Sequence, residues 1–301
     1  MALALAEAGA DIAITSRNIE DGRKSARKIT QATGRKVLPL CLDVRKEDRM
    51  PAVSNPLVIF AQARSGSTVL WRVLQLHPQL NLALEPFQPK YHIWKPDEPD
   101  YINLIVDIRT LEEQLAVLFS KYDGFKVLDY QLPEELYTHM LLRPDIKVIA
   151  LRRRNILQQA VSGFIAGQTG IWQKRDLNGD VETACQGLKP IDLDELGSRI
   201  EYGLEARQFY SEVLAQKPPH MYMPLWYEDL YTSDVASNRE SFRSIFHFLG
   251  LSMPDSEELN HLIDPRIEKI NSPATYALLP NAKIIDEQFG SDETGWLFEK
   301  M

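Results

Sequence analysis

The sequence predicts an α/β protein, a three-layer sandwich around a central parallel sheet, preceded by a short N-terminal βα fragment. Two observations lead there. Apolar runs of strand length alternate with amphipathic stretches of helical period through most of the chain. One of those runs, Leu57–Ala61, passes through a loop of small and hydroxyl residues straight into an apolar helix.

In chain order, the first 50 residues read as a unit apart. Met1 to Gly9 is helical in composition, Asp11–Arg17 is a short strand, Ile19–Thr33 is an amphipathic helix, and Lys36–Val44 is a second strand. Residues 51–56, with two prolines and no periodicity, read as a linker. From residue 57 to 301 the alternation is sustained. Strands are expected at Leu57–Ala61, Leu80–Leu84, Phe125–Tyr130, Lys147–Leu151 and His220–Trp226. Helices are expected at Ser67–Leu76, Thr110–Tyr122, Ile156–Ala166, Asp194–Ala215 and Arg239–Leu249. No internal repeat or low-complexity tract interrupts them.

Composition narrows the function. A chain of 301 residues, 44% hydrophobic and 25% charged, buries a core as one large domain or one domain with an appendage. No apolar run approaches the roughly 18 residues of a membrane span, so no stable membrane insertion is expected. The apolar start Met1–Ala6 has no basic flank and is cut by Glu7 and Asp11, unlike a secretory signal. Cys41 and Cys185 form neither a disulfide framework nor a metal spacing, which fits free thiols in a reducing cytoplasm. No metal-ligand cluster is apparent and no metal is expected. The net charge of −8 argues against nucleic acid and anionic membranes as partners. An anionic ligand therefore needs a locally basic pocket.

Two segments supply one. In Ala63-Arg64-Ser65-Gly66-Ser67-Thr68, backbone N–H groups and a helix N-terminus point at one spot. Gly66 admits close approach of the backbone, Ser65, Ser67 and Thr68 offer hydroxyls, and Arg64 adds a permanent cation. Sulfate or phosphate is the natural occupant, although the same residues also suit an ordinary N-capped helix. The string is not a Gly-x-x-x-x-Gly-Lys loop, which counts against an ATP-using kinase. The second segment, Lys147 to Ser162, ends a strand in Arg152, Arg153 and Arg154 at the mouth of a helix. Arg154 and Ser162 are eight residues apart, a little over two helical turns, so helical spacing puts them on nearly one side. Clustered arginines there suit phosphate, or form a solvated basic helix start.

Both segments, in this order, resemble the sulfotransferases that use 3′-phosphoadenosine 5′-phosphosulfate, over residues 56 to 301. The loop Ala63–Thr68, followed by Leu76-His77-Pro78, is similar to that family's 5′-phosphosulfate loop. The Arg154/Ser162 pair is similar to its 3′-phosphate site. Leu84-Glu85-Pro86-Phe87 resembles the carbohydrate-directed members, and Gln168-Thr169-Gly170-Ile171-Trp172 resembles bacterial relatives acting on trehalose and nodulation factors. Trp226–Leu230 and Phe248–Leu251 match further family stretches of structural character.

The resemblance implies a P-loop-like fold and in-line sulfuryl transfer to a hydroxyl on a carbohydrate, glycolipid or small molecule. It implies Arg64, Ser65, Gly66, Ser67, Thr68, Arg154 and Ser162 as cofactor-binding residues. Arg64 would stabilise the transferring group, and Glu85, following an apolar strand, would be the general base. His77 and His92 compete for that last role. Phe87, Tyr91, His92 and Trp94 form an aromatic cluster suited to a sugar ring or to core packing, and Phe164 and Trp172 are candidates to flank adenine or acceptor. A homodimer is left open. The alternative is a P-loop-like nucleotide-binding protein or kinase without sulfotransferase activity.

The N-terminal strings ALALAEAGADIAITSRN and LDVRKED resemble the second and third strands of short-chain dehydrogenases. That family's Gly-rich turn and first strand have no counterpart in this chain, and no Tyr-x-x-x-Lys pair follows in a suitable context. The fragment is expected to be a non-functional remnant.

Overall fold

A computed structural model describes residues 2–16, 19–41, 53–88, 105–177, 180–268 and 270–298. The chain divides into two compact units, residues 1–50 and 51–301. In the first, α1 (Ala2–Glu7) precedes β1 (Ile12–Ser16), α2 (Ile19–Thr33) and β2 (Val37–Cys41). β1 and β2 pair in parallel, as a strand–helix–strand crossover demands. The string LDVRKED lies outside the described residues.

The second unit is built on a five-stranded, wholly parallel sheet: β3 (Leu57–Ala61), β4 (Leu82–Leu84), β5 (Gly124–Leu128), β6 (Lys147–Arg152) and β7 (Tyr222–Trp226). Their spatial order is β4-β5-β3-β6-β7. β3 and β5 are buried along their whole length, which explains why β3 reads as an unbroken apolar run rather than an alternating one. Alternate residues nevertheless serve different layers. Val58 and Phe60 face a core closed by α4 (Ile108–Phe119), α5 (Glu134–Leu142) and the long helix Leu193–Leu214. Leu57, Ile59 and Ala61 face the opposite core, with Leu70 and Leu74 of α3 (Ser67–Gln75) and Phe242 and Phe246 of the helix Val235–Leu249. A third cluster joins α6 (Ile156–Thr169) to the helix Leu193–Leu214 and the C-terminal helices. The sandwich is therefore three layers deep.

Residues 53–56 do not behave as a linker. Val53 is buried in the second core, the Pro56 carbonyl accepts from Lys147 N at 2.8 Å, and the Asn55 amide donates to the Asp145 carbonyl at 3.1 Å. They form the entry to β3.

The strand order fixes where a ligand belongs. The chain leaves β3 toward the β4 edge, and leaves β6 toward the β7 edge. The crossovers diverge between β3 and β6, and open parallel sheets bind ligands beyond the carboxyl ends of such strands. No helix among the described residues is long and apolar enough to cross a membrane.

Candidate active site

A cleft of about 770 Å³ opens at that divergence, walled by residues following β3, β5 and β6. Of the residues expected from sequence, Arg64, Gly66, Ser67, Thr68, Glu85, Ser162 and Trp172 line it.

The loop after β3 alternates in handedness, with Arg64 at φ 62° and Gly66 at φ 82°. Gly66 is required twice over. Its φ belongs to the left-handed region, and a Cβ there would lie 2.8 Å from Tyr231 Cε2 and 3.0 Å from Tyr227 Cδ2. Gly66 is also the N-cap of α3, with no side chain capping the first turn. The N–H groups of that turn are thus directed at the cleft without a side-chain acceptor. Ser65 departs from expectation: it is fully buried, outside the cleft lining, and its hydroxyl donates to the Gln62 carbonyl at 2.7 Å.

Arg64 crosses the cleft floor. Its Nε donates to Ser162 Oγ at 3.0 Å and its Nη1 to the Trp172 carbonyl at 2.6 Å. Gly170, left-handed at φ 72°, ends α6 and turns the chain so that Trp172 meets Arg64. That geometry accounts for the Gln-Thr-Gly-x-Trp string. Burial, and then the neighbouring Arg153, pull the Arg64 guanidinium below its ordinary pKa.

Among the three arginines, the structure selects Arg153. It is 5% exposed, lines the cleft, lies over the Tyr227 ring at 4.5 Å, and donates to Gln158 Oε1 at 2.7 Å. Arg154 instead makes a forked pair with Asp229, at 2.6 and 2.7 Å, and its side chain is half exposed outside the cleft lining. The eight-residue spacing fails because α6 starts at Ile156, with Asn155 as its N-cap. Arg154 precedes the helix, so helical periodicity does not govern its direction. The mouth of α6 is also taken: the Glu228 carboxylate accepts the N–H groups of Arg154 and Asn155 at 3.0–3.1 Å.

Glu85 stands at the carboxyl end of β4, 7% exposed and at φ 49°, a strained conformation for a residue with a side chain. Its carboxylate is paired with the Lys126 ammonium and accepts from Gln131 Nε2 at 2.9 Å. Lys126 is 1% exposed on β5 and also donates to Thr68 Oγ1 at 3.2 Å. Burial pulls the Lys126 ammonium down, Glu85 pushes back up, and Arg64 lowers it further. The result is a chain of contacts from loop hydroxyl to ammonium to carboxylate. Sequence reasoning missed Lys126. Its signal was a lysine inside Gly-Phe-Lys-Val-Leu, where every neighbour is apolar or glycine.

The remaining candidates scatter. His77 is buried away from the cleft, its Nδ1 accepting from Gln79 N at 3.3 Å and its pKa lowered by burial. Phe87 is fully buried in the core against Phe125, so it offers no platform to a sugar. Tyr91, His92 and Trp94 lie outside the described residues. Phe164 carries the Arg199 guanidinium on its face at 5.3 Å. The rings that do face the cleft while half exposed are Trp172 and Tyr130, the latter accepting from Gln88 Nε2 at 2.9 Å. Asn271 and Tyr276 reach the same cleft from the C-terminal region, with no motif to announce them.

Chemically, Arg64, Arg153 and Lys126 converge on one space, and Glu85 neutralises only Lys126 by direct contact. Among the described residues, the carboxylate nearest Arg153 is Glu228, with Oε1 3.9 Å from Nε. Such a cleft suits an anion with more than one negative centre.

No family model matches the chain, and no curated protein matches it. Several solved structures are similar in part. The sulfotransferase from Alicyclobacillus acidocaldarius matches at 18% identity over 69% of this chain and 89% of that one, with a TM-score of 0.40. The mouse sulfotransferase SULT7A1 complexed with PAP matches at 19% over 70% and 64%, TM-score 0.38. The sulfotransferase domain from the curacin biosynthetic pathway matches at 16% over 80% and 98%, TM-score 0.41.

Proposed function

We propose that residues 57–301 form a sulfotransferase that moves a sulfuryl group from 3′-phosphoadenosine 5′-phosphosulfate to the hydroxyl of a carbohydrate, glycolipid or small molecule. The observation that carries this reading is the convergence of Arg64, Arg153 and Lys126 beside a buried, ion-paired glutamate, at the divergence of β3 and β6. The residues present fit the donor. The Ser65–Thr68 amides, the hydroxyls of Ser67 and Thr68, and Arg64 hold the 5′-phosphosulfate. Arg153, in place of Arg154, holds the 3′-phosphate with Ser162.

The donor supplies a sulfuryl group that passes in line from the 5′-phosphate to the acceptor oxygen, so the protein's work is positioning and charge stabilisation. Glu85 takes the proton of the acceptor hydroxyl as that oxygen attacks. Lys126 and Gln131 hold its carboxylate in place, and the Lys126–Thr68 bond ties the base to the loop. Arg64 faces the charge that develops on the oxygen between sulfur and phosphate. Trp172 and Tyr130, with the Gln88 amide beside them, offer the aromatic face and planar hydrogen-bonding group that a sugar ring uses.

Thermal-shift titration with adenosine 3′,5′-bisphosphate, alongside ATP, tests the donor site. Saturable stabilisation by the bisphosphate, followed by sulfuryl transfer to members of a glycan panel, is the expected result. Stabilisation by ATP alone would favour a kinase-like protein and sink the proposal.

A further inference from the structure

The cleft holds hydrogen-bonding capacity that no protein group uses. Arg153 Nε, Tyr276 Oη and Asn271 Oδ1 are buried atoms without a hydrogen-bond partner among the described residues. Their side chains are 5%, 1% and 6% exposed, and all three residues line the cleft. Ser162 adds a fourth unspent group. Its oxygen accepts from Arg64 Nε at 3.0 Å and from Asn271 Nδ2 at 2.7 Å, so both lone pairs are occupied while its own proton has no acceptor among the described residues.

These groups are contiguous. Asn271 contacts Ser162, Ser162 contacts Arg64, and Arg153 Nη1 approaches the Arg64 carbonyl at 3.4 Å. Burial raises the Tyr276 phenol in pKa, against the opposing pull of Arg153, so it keeps its proton. Even where the phenol oxygen faces the guanidinium, that proton remains free to donate. The wall thus presents three donors, from Arg153, Ser162 and Tyr276, and one acceptor, Asn271 Oδ1. A buried polar group left unsatisfied costs free energy, so the set implies a ligand of matching polarity.

A phosphate dianion satisfies the three donors but has no hydrogen to offer Asn271. The ligand must carry a donor immediately beside its phosphate. On a nucleoside 3′-phosphate that donor is the ribose 2′-hydroxyl. Taking the nucleotide reading of the cleft as its basis, we infer that Tyr276 and Asn271 complete the site. Tyr276 donates to the 3′-phosphate, and Asn271 Oδ1 accepts from the adjacent 2′-hydroxyl, so the cleft selects a ribonucleotide over its 2′-deoxy counterpart. The Asn271 bond to Ser162 holds the amide in the orientation that this requires.

Calorimetric titration of the full chain with adenosine 3′,5′-bisphosphate, its 2′-deoxy analogue and adenosine 5′-monophosphate tests the inference. The wild type binds the ribose form about tenfold more tightly than the deoxy form, the scale of one buried hydrogen bond. Asn271→Ala brings that ratio to about one, whereas Asn271→Asp, which keeps an acceptor, preserves it. Tyr276→Phe retains the ring that packs in the core, weakens the bisphosphate about tenfold, and leaves the monophosphate unchanged. Equal affinity of the wild type for ribose and deoxy forms, or a Tyr276→Phe variant that binds the bisphosphate as tightly as wild type, overturns the inference and leaves the donor site standing. Failure of the wild type to bind the bisphosphate at all refutes both.

Discussion

Replacing Asp129 with asparagine makes the protein more stable at neutral and alkaline pH, by an amount that grows from acid toward neutrality. Asp129 follows β5 and is 4% exposed. Burial lifts its carboxyl from 3.8 to about 7, outweighing the Gln62 hydrogen bond, the N–H groups of residues 129 and 130, and the Arg199 guanidinium, all of which lower it. In the unfolded chain the same carboxyl titrates near about 3.9. Between the two values the folded protein keeps a proton that the unfolded chain has released. Stability therefore falls as pH rises, by about 1.4 kcal/mol per pH unit from this one group. The favourable contribution is fully present below about pH 4 and lost above about pH 7, roughly 4 kcal/mol in all. Asparagine does not titrate, and the other groups cancel in the comparison. Urea unfolding of wild type and Asp129→Asn at about pH 5 and pH 8 should show the wild type losing about 3 kcal/mol relative to the variant. A difference between the two proteins that stays constant across that range refutes the reasoning, because it means that Asp129 ionises in the fold as freely as in the unfolded chain.

Five further outcomes follow from the cleft. Arg153→Ala weakens adenosine 3′,5′-bisphosphate by at least tenfold, on the scale of about 1.5–3 kcal/mol for a hydrogen bond to a charged group. Arg154→Ala, which removes an exposed pair with Asp229, changes affinity by no more than about twofold; calorimetry on both variants decides between neighbouring arginines. Gly66→Ala lowers unfolding free energy by about 2 kcal/mol or more, since a left-handed φ costs about 1–2 kcal/mol before the approach to Tyr231 is counted, and denaturant unfolding reads it out. Glu85→Gln retains nucleotide affinity but slows sulfuryl transfer by about 10²-fold or more in single-turnover assays. Lys126→Met strands the Glu85 carboxylate in the interior and destabilises by about 3–5 kcal/mol, measured by urea unfolding.

The sheet was legible because its buried strands are short, largely apolar runs, and the anion loop because β3 leads within two residues into Arg-Ser-Gly-Ser-Thr. Helix α5 was not. Its nine residues carry two leading glutamates after Pro133 but too short an apolar face to register as a helical period. The cluster Arg152-Arg153-Arg154 defeated the spacing argument for a local reason: where the helix begins decides which arginine turns inward, and Asn155 as N-cap leaves Arg154 outside it. Lys126 was hidden by the opposite effect. A single lysine in an apolar strand reads as a surface position until the partner carboxylate, 41 residues earlier in the chain, is brought beside it. Asn271 and Tyr276 belong to no sequence pattern, and only the fold delivers them to the cleft.

The placement of Glu228 explains why the cleft relies on side chains more than on helix ends. A helix N-terminus attracts anions, and the sheet offers two at this divergence, those of α3 and α6. Glu228 already sits at the second, accepting the N–H groups of Arg154 and Asn155 that lead into it, while the Leu157 and Gln158 N–H groups go to the Thr294 carbonyl and Asn155 Oδ1. Only α3 remains open to a ligand, so a molecule with two anionic centres must find its second set of donors elsewhere. Arg153, Ser162 and Tyr276 are those donors, each with a hydrogen still to give. Arg153 lowers the Arg64 guanidinium in pKa by its like charge, a repulsion that negative charge bound beside both would relieve. A chain carrying eight net negative charges thus concentrates positive potential in one place, where the fold leaves hydrogen bonds unspent.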